Sequence, residues 1–253
     1  MELADKVVLL TGAGGGLGRE IAKLFAKEGA RILASDMTDD GQVVAEEVGG
    51  AFIKADLSEP ASVNRLAREA LKDRGRVDIL VNNAGFQHLA PVEEFPEDMW
   101  GKMIQVMLTA PFQLIKHLTP AMKETRWGRI INMSSIHGLV ASPYKSAYVA
   151  AKHGLIGLTK TAALELGPSN ITVNAICPAY TRTAIVEKQI RAQAASHGLS
   201  EKEVVEKIML EPMAIKRMIE PEEVAGLALF LASEKAGAIT GASYKIDLGW
   251  TAR

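Results

Sequence analysis

The chain has 253 residues, 48% of them hydrophobic and 23% charged, which is enough apolar content to bury a sizeable core without staples. Lys and Arg (29) nearly balance Asp and Glu (30) for a formal charge of -1, so no basic field points to nucleic acid or an anionic membrane as partner. A single cysteine, Cys177, excludes an intrachain disulfide; no stretch reads as a signal peptide, a membrane span or a metal quartet, and a cytoplasmic protein is expected.

In chain order, residues 7–10 (Val-Val-Leu-Leu) read as a strand buried on both faces. Leu17, Ile21, Leu24 and Phe25 then recur at helical spacing, and Gly29 supplies the stop. Further strands are predicted at 32–35, 51–54, 79–82, 129–133, 172–176 and 243–247, with helical stretches between most of them. This alternation predicts an α/β fold, a doubly wound parallel sheet with helices on both faces. With no repeat, low-complexity tract or linker, residues 1–253 read as one domain. The rhythm breaks at about 183–219, where two helical patterns (Ile185, Val186, Ile190; then Val204, Val205, Ile208, Met209) follow without a strand. That excursion is either a lid over a substrate or a helix pair packed on the core.

Thr11-Gly12-Ala13-Gly14-Gly15-Gly16-Leu17-Gly18 lies between the first strand and the first helix. Glycines there let the backbone turn sharply and approach a pyrophosphate, whose charge sits against the free N–H groups of a helix N-terminus. Leu17 occupies the last position of the usual G-x-G-x-x-G, and Gly12, Gly16 and Gly18 fit G-x-x-x-G-x-G instead. Asp36 ends the second strand, where a dinucleotide fold places an acid on the adenosine ribose. A carboxylate repels a 2′-phosphate, and the next residue is Met37 rather than a cation, so NAD is the expected cofactor.

Tyr148 and Lys152 stand four apart and share one helix face. A free phenol has a pKa near ~10 and is a poor base at neutral pH, but a neighbouring ammonium favours the phenolate and makes it usable for an alcohol proton. Ser135 follows the strand at 129–133, at the end that faces the crevice of a parallel sheet, where its hydroxyl can hold the same oxygen.

The combination of the glycine turn, Asp56-Leu57, Asn82-Asn83-Ala84-Gly85, Ser135, Tyr148-x-x-x-Lys152 and Pro178-Ala-Tyr-Thr-Arg-Thr183 resembles the short-chain dehydrogenase/reductases. The resemblance implies a seven-stranded Rossmann-type sheet, a homotetramer, and hydride transfer between an alcohol carbon and nicotinamide. It implies that Asp56 and Leu57 flank the adenine, that Asn82, Asn83, Ala84 and Gly85 line the cofactor cleft, and that Lys152 also holds the nicotinamide ribose. Pro178 belongs to the same cofactor set, and Thr181 or Thr183 touches the carboxamide. Two positions depart from the family: Met107 stands where an asparagine commonly helps hold a relay water, and Asp247-Leu248-Gly249 where a double glycine is common. Gln105 or backbone groups are the alternatives for that water.

A finer set, Gln87, His137, Lys145, Gln189 and Trp250, looks like the D-3-hydroxybutyrate dehydrogenases of ketone-body metabolism. By that resemblance Gln87, His137, Lys145 and Gln189 bind the substrate carboxylate and Trp250 packs on its methyl end, while Tyr180 stands where a tryptophan is common. The chemistry is sound, because a small carboxylate needs several converging donors in a dry pocket. The leading expectation is NAD-dependent interconversion of (R)-3-hydroxybutyrate and acetoacetate, with Ser135, Tyr148 and Lys152 catalytic. The alternatives are another short-chain oxidoreductase, acting on 3-oxoacyl thioesters or sugar alcohols, and a non-catalytic NAD-binding scaffold.

Overall fold

The short apolar runs become seven strands: β1 (Val7–Thr11), β2 (Arg31–Asp36), β3 (Ala51–Lys54), β4 (Ile79–Asn82), β5 (Gly128–Met133), β6 (Ile171–Pro178) and β7 (Ser243–Ile246). The computed structural model describes residues 1–72 and 75–252. All neighbouring strands pair in parallel, in the order β3-β2-β1-β4-β5-β6-β7. Strand order reverses between β1 and β4, which opens a crevice at the carboxyl ends of those two strands. The sheet is the doubly wound parallel sheet that the alternation predicts, with the seven strands of the Rossmann-type sheet that the resemblance implies.

Helices cover both faces: α1 (Gly16–Lys27), α2 (Asp40–Glu47), α3 (Pro60–Lys72), α4 (Glu97–Ile104), α5 (Ala110–Thr125), α6 (Ser146–Leu166), α7 (Ala184–His197), α8 (Glu201–Val204) and α9 (Pro221–Ala232). Side chains alternate across a strand, and β1 shows what that does here. Val7 and Leu9 join the apolar layer beneath α3, α5 and α6, whereas Val8 and Leu10 join the layer beneath α1, α2 and α9. A residue buried on either face must be apolar, so the strand reads as an unbroken hydrophobic run.

The segment that breaks the rhythm forms α7, α8 and one wide π-type turn, Val205–Met209. Ser200 and Glu203 cap α8 reciprocally, which fixes where the second helical stretch starts. Ile190, Val204, Met209, Leu210, Met213 and Met218 build a third apolar cluster, packed against Tyr180, Leu248 and Trp250. The side chain of Ile185, read above as part of this apolar pattern, lies outside the described residues. Among the described residues no helix is long and apolar enough to cross a membrane, and no group of three or more His, Cys, Asp and Glu side chains could hold a metal ion.

Candidate active site

A cleft of about 460 Å³ opens at the carboxyl ends of the strands. The glycine turn forms its floor. Gly12 has φ +65, and a Cβ there would lie 2.8 Å from the Ala84 Cα, so the turn after β1 can lie against the segment after β4 only without a side chain. Thr11 and Asn83 stitch the same junction. The Asn83 amide donates to the Thr11 and Gly12 carbonyls at 3.0 Å each, and the Thr11 hydroxyl accepts from the Asn83 and Ala84 N–H groups at 3.0 and 3.2 Å.

Gly12, Gly16, Leu17, Asp36, Asn83, Ala84, Gly85, Pro178, Thr181 and Thr183 line the cleft, as do Ser135, Tyr148 and Lys152. Gly18, Asp56 and Leu57 do not line it. Gly18 sits where a Cβ would lie 2.1 Å from the Gly12 carbonyl oxygen, so its part is close packing of α1 on the turn. Asp56 closes a local turn, accepting from the Ser58 N–H at 2.8 Å and the Ser58 hydroxyl at 2.7 Å, and those bonds hold its carboxyl below the usual range. Asn82 is buried and faces the core rather than the cleft, donating to Asn132 Oδ1 at 2.8 Å. Asp36 accepts from the Gly14 N–H at 2.9 Å and the Thr38 N–H at 3.0 Å, and Asp40 lines the cleft beside it.

At the other end, α6 presents Tyr148 and Lys152 on one face toward the end of β5. The Lys152 ammonium donates to the Met133 carbonyl at 2.6 Å, and Ser135 Oγ accepts from the His137 N–H at 3.1 Å. Lys152 Nζ lies 5.5 Å from the Tyr148 ring centroid. Burial pulls the Lys152 ammonium down to about 8 and pushes the Tyr148 phenol up, with the Ser135 hydroxyl pulling the phenol the other way. The expected lowering of Tyr148 by Lys152 is not among the causes of its shift: desolvation of the phenol dominates, the opposing pull comes from Ser135, and the ammonium is turned to Met133. Cys177, buried at the end of β6, has its thiol pushed up to about 11 by burial and stays protonated at neutral pH.

Gln87, His137, Lys145, Tyr180, Gln189 and Trp250 also line the cleft, although they are scattered along the sequence. Lys145 Nζ and His137 Nε2 are 3.2 Å apart and both side chains are buried. Burial pulls Lys145 down to about 8; burial, then the neighbouring Lys145 charge, pull His137 down to about 4. His137 is thus neutral, and its Nε2 accepts from the ammonium. Trp250 meets His137 edge to face at 5.7 Å and tilts against Tyr180 at 5.7 Å. Gln87 Oε1 and Gln189 Nε2 are buried without a hydrogen-bond partner, a costly state that a polar ligand would relieve.

A family model described as enoyl-(acyl carrier protein) reductase matches residues 12–251. D-beta-hydroxybutyrate dehydrogenase of Rhizobium meliloti (strain 1021) is 46% identical, over 98% of this chain and 99% of that protein. The chain belongs to the short-chain dehydrogenase/reductase family. D-beta-hydroxybutyrate dehydrogenase of Cupriavidus necator is 42% identical, over 99% of this chain and 100% of that protein. The crystal structure of levodione reductase superposes with a TM-score of 0.91 at 30% identity, covering 99% of each chain. This short-chain dehydrogenase/reductase is an oxidoreductase on a fold that binds a nicotinamide cofactor.

Met107 is buried in a π-type turn, Gln105–Thr109, between α4 and α5. A Cβ on Gly85 would lie 3.3 Å from its sulfur and 3.8 Å from Lys152 Nζ, so the thioether and the ammonium flank the same glycine. Gln105 does not line the cleft, and its amide nitrogen is engaged elsewhere, donating to the Leu57 carbonyl at 3.3 Å and to Gln113 Oε1 at 3.1 Å. Phe86, Ile136 and Val186 line the cleft without having been read as site residues in sequence. Their signal is only adjacency to Gly85, Ser135 and the α7 pattern.

Proposed function

We propose that this enzyme interconverts (R)-3-hydroxybutyrate and acetoacetate with NAD. The observation that carries the reading is the convergence, beside Tyr148, of the buried Lys145 ammonium with its neutral His137 partner and the unpartnered Gln189 Nε2 donor, in a cleft that Gln87 also lines. A carboxylate of a short acid matches that set, since it is acceptor-only and compensates one buried cation. A neutral thioester or a polyol would leave Lys145 without a counter-charge. Trp250 and Tyr180 supply the apolar wall for a methyl end.

The nicotinamide cofactor fits the residues present. The Gly12–Gly16 turn is a cradle that side chains would fill, and the α1 N-terminus opens on it. The far end of the cleft presents Asp36, Thr38 and Asp40, and its lining cations, Lys145 and Lys152, lie at the substrate end. That charge pattern favours ribose hydroxyls over a 2′-phosphate, hence NAD. When bound, the cofactor supplies the two-electron acceptor or donor.

The chain's own residues do the rest. Ser135 holds the substrate oxygen, Tyr148 takes or returns its proton, and Lys152 binds ribose and holds positive charge beside the phenol. Gln189 lies on α7, so carboxylate binding draws that lid toward Lys145. The same reading makes the protein a cytoplasmic homotetramer that acts on a small molecule and uses neither nucleic acid nor membrane. NADH formation with (R)-3-hydroxybutyrate, compared with 3-hydroxyacyl thioesters and sugar alcohols, tests it. Turnover of a thioester or polyol in preference to the acid overturns it.

A further inference from the structure

Three polar side chains cross an otherwise apolar layer between the sheet and α6. Asn82 ends β4, Asn132 lies opposite it on β5 in the same register, and Thr159 projects from α6. All three are buried, with exposures of 4%, 0% and 0%. Asn82 Nδ2 donates to Asn132 Oδ1 at 2.8 Å, Asn132 Nδ2 donates to Thr159 Oγ1 at 2.9 Å, and the Thr159 hydroxyl donates to the Leu155 carbonyl at 2.8 Å. None of the three lines the cleft.

Such a line is a poor device for stability. Buried polar groups give up hydration for hydrogen bonds of small net worth, and apolar residues of matching shape often serve as well. What a directional line adds is geometry. Tyr148, Lys152, Leu155 and Thr159 follow helical spacing along one face of α6, so Thr159 lies roughly 10 Å down the axis from Lys152. Near Lys152 the helix is tied to the sheet by the Lys152–Met133 bond at 2.6 Å and by the Ser134 hydroxyl, which donates to the Lys152 carbonyl at 3.1 Å. Among the described residues, Thr159 makes the one side-chain hydrogen bond from α6 to the sheet beyond that point. A rod held at one end keeps its position but not its tilt, whereas a second tie fixes both.

We infer that Asn132 and Thr159 are positioning residues: the Asn82–Asn132–Thr159 line sets the axial register and tilt of α6 against β5, and through them the approach of Tyr148 to Ser135. The inference rests on Tyr148 as the acid–base group of the proposed reaction. Loss of the tie moves the phenol relative to the serine hydroxyl while leaving the phosphate cradle, built on β1 and α1, in place.

Thr159→Val keeps the shape of the side chain and removes the hydroxyl, and Thr159→Ser restores it. For Thr159→Val, kcat is expected to fall about tenfold while KM for the acid and Kd for NADH stay within about twofold. The ascending limb of the oxidation-rate profile is expected to move to higher pH, because the phenol loses part of the serine contact that pulls it down. Thr159→Ser is expected to return both readouts to within about twofold of the parent. Should the valine variant fail to fold, Thr159→Cys, which keeps a weak hydrogen-bonding group in a similar volume, carries the same expectations at smaller amplitude. Parent-like kcat and pH profile in the valine or cysteine variant overturn the inference, as does a serine variant as slow as valine. A parent inactive on every alcohol overturns the reading of Tyr148, and the inference with it; an active parent with an insensitive Thr159 overturns the inference alone.

Discussion

The two ends of the cleft are built by different means. The cofactor end is made largely from backbone. Gly12, the α1 N-terminus and the Thr11–Asn83 stitching all lie within a few residues of two adjacent strand ends, and their geometry follows from local chain chemistry. The substrate end is made from side chains delivered by segments remote from one another: the turn after β4, the turn after β5, the start of α6, the helix α7 and the C-terminal tail. Backbone scaffolding tolerates change in most side chains but fails at a single misplaced Cβ. A side-chain pocket shows the opposite behaviour, losing one contact at a time.

The largest expected effect tests the group on which both ends converge. Tyr148→Phe removes the proton carrier and leaves the ring, so kcat is expected to fall by about 10³-fold, within the range for a positioned acid or base. NADH affinity, measured by fluorescence titration, should change little, because the phosphate cradle is independent of the phenol. Parent-like turnover in this variant would remove Tyr148 from the chemistry.

Next in size is a break at the cofactor end. Gly18→Ala places a methyl 2.1 Å from the Gly12 carbonyl oxygen, a backbone atom that cannot swing aside. Overpacking of this kind costs about 1–3 kcal/mol, and here it opens the turn as well. The variant should melt several degrees lower and bind NADH more weakly, with KM for the acid rising only as far as cofactor loss dictates. A thermal midpoint and NADH affinity equal to the parent would show that the turn has slack.

The matching break at the substrate end is Lys145→Ala. A hydrogen bond to a charged group contributes about 2 kcal/mol, which corresponds to about thirtyfold in KM for the acid, with NADH affinity unchanged. The parent already carries a milder version of this experiment. Lys145 is drawn down to about 8, so its charged form predominates below that pH and is lost above it. KM for the acid is therefore expected to climb as pH rises past about 8 and to be flat near neutrality. His137, drawn down to about 4, is neutral throughout that window and adds no inflection. A KM indifferent to pH from 7 to 9.5 would place the carboxylate elsewhere.

The same contrast explains what could be read from the sequence. The seven strands and the glycine turn were legible because period, turn chemistry and strand–helix order are local signals, and β3 at Ala51–Lys54 and β4 at Ile79–Asn82 fall where the apolar runs place them. Asp36, Tyr148 and Lys152 were legible through spacing. Gln87, Lys145, Gln189 and Trp250 were visible only through resemblance, since nothing local marks a solvated amide from one that ends in a pocket. Asn82 and Gln105 were read toward the cleft, but Asn82 is buried in the core against Asn132 and the Gln105 amide nitrogen is engaged by Gln113. The sign of the Tyr148 shift depends on burial against charge, which a one-dimensional spacing does not contain.

The smallest expected effect lies at the seam between the tail and the α7–α8 segment. Leu248 holds φ +52, a conformation unfavourable to a leucine, at a position where relatives of this family often carry glycine. Its carbonyl accepts from the Ala214 and Ile215 N–H groups at 2.8 and 3.1 Å, and its half-buried side chain packs against both the α9 layer and the third apolar cluster. Leu248→Gly relieves about 1–2 kcal/mol of backbone strain. It gives back about 1 kcal/mol in unfolded-chain entropy and a similar amount in lost burial. These terms nearly cancel, so stability should stay within about 1 kcal/mol, a shift of only a few degrees in Tm for a chain of this length. Because the backbone bonds to Ala214 and Ile215 survive, Trp250 should stay in place and KM for the acid should rise no more than about threefold. A drop in Tm well beyond that range would identify the leucine side chain as the wedge joining the α7–α8 segment to the core, and would mean that the strained backbone is retained for packing at the substrate end.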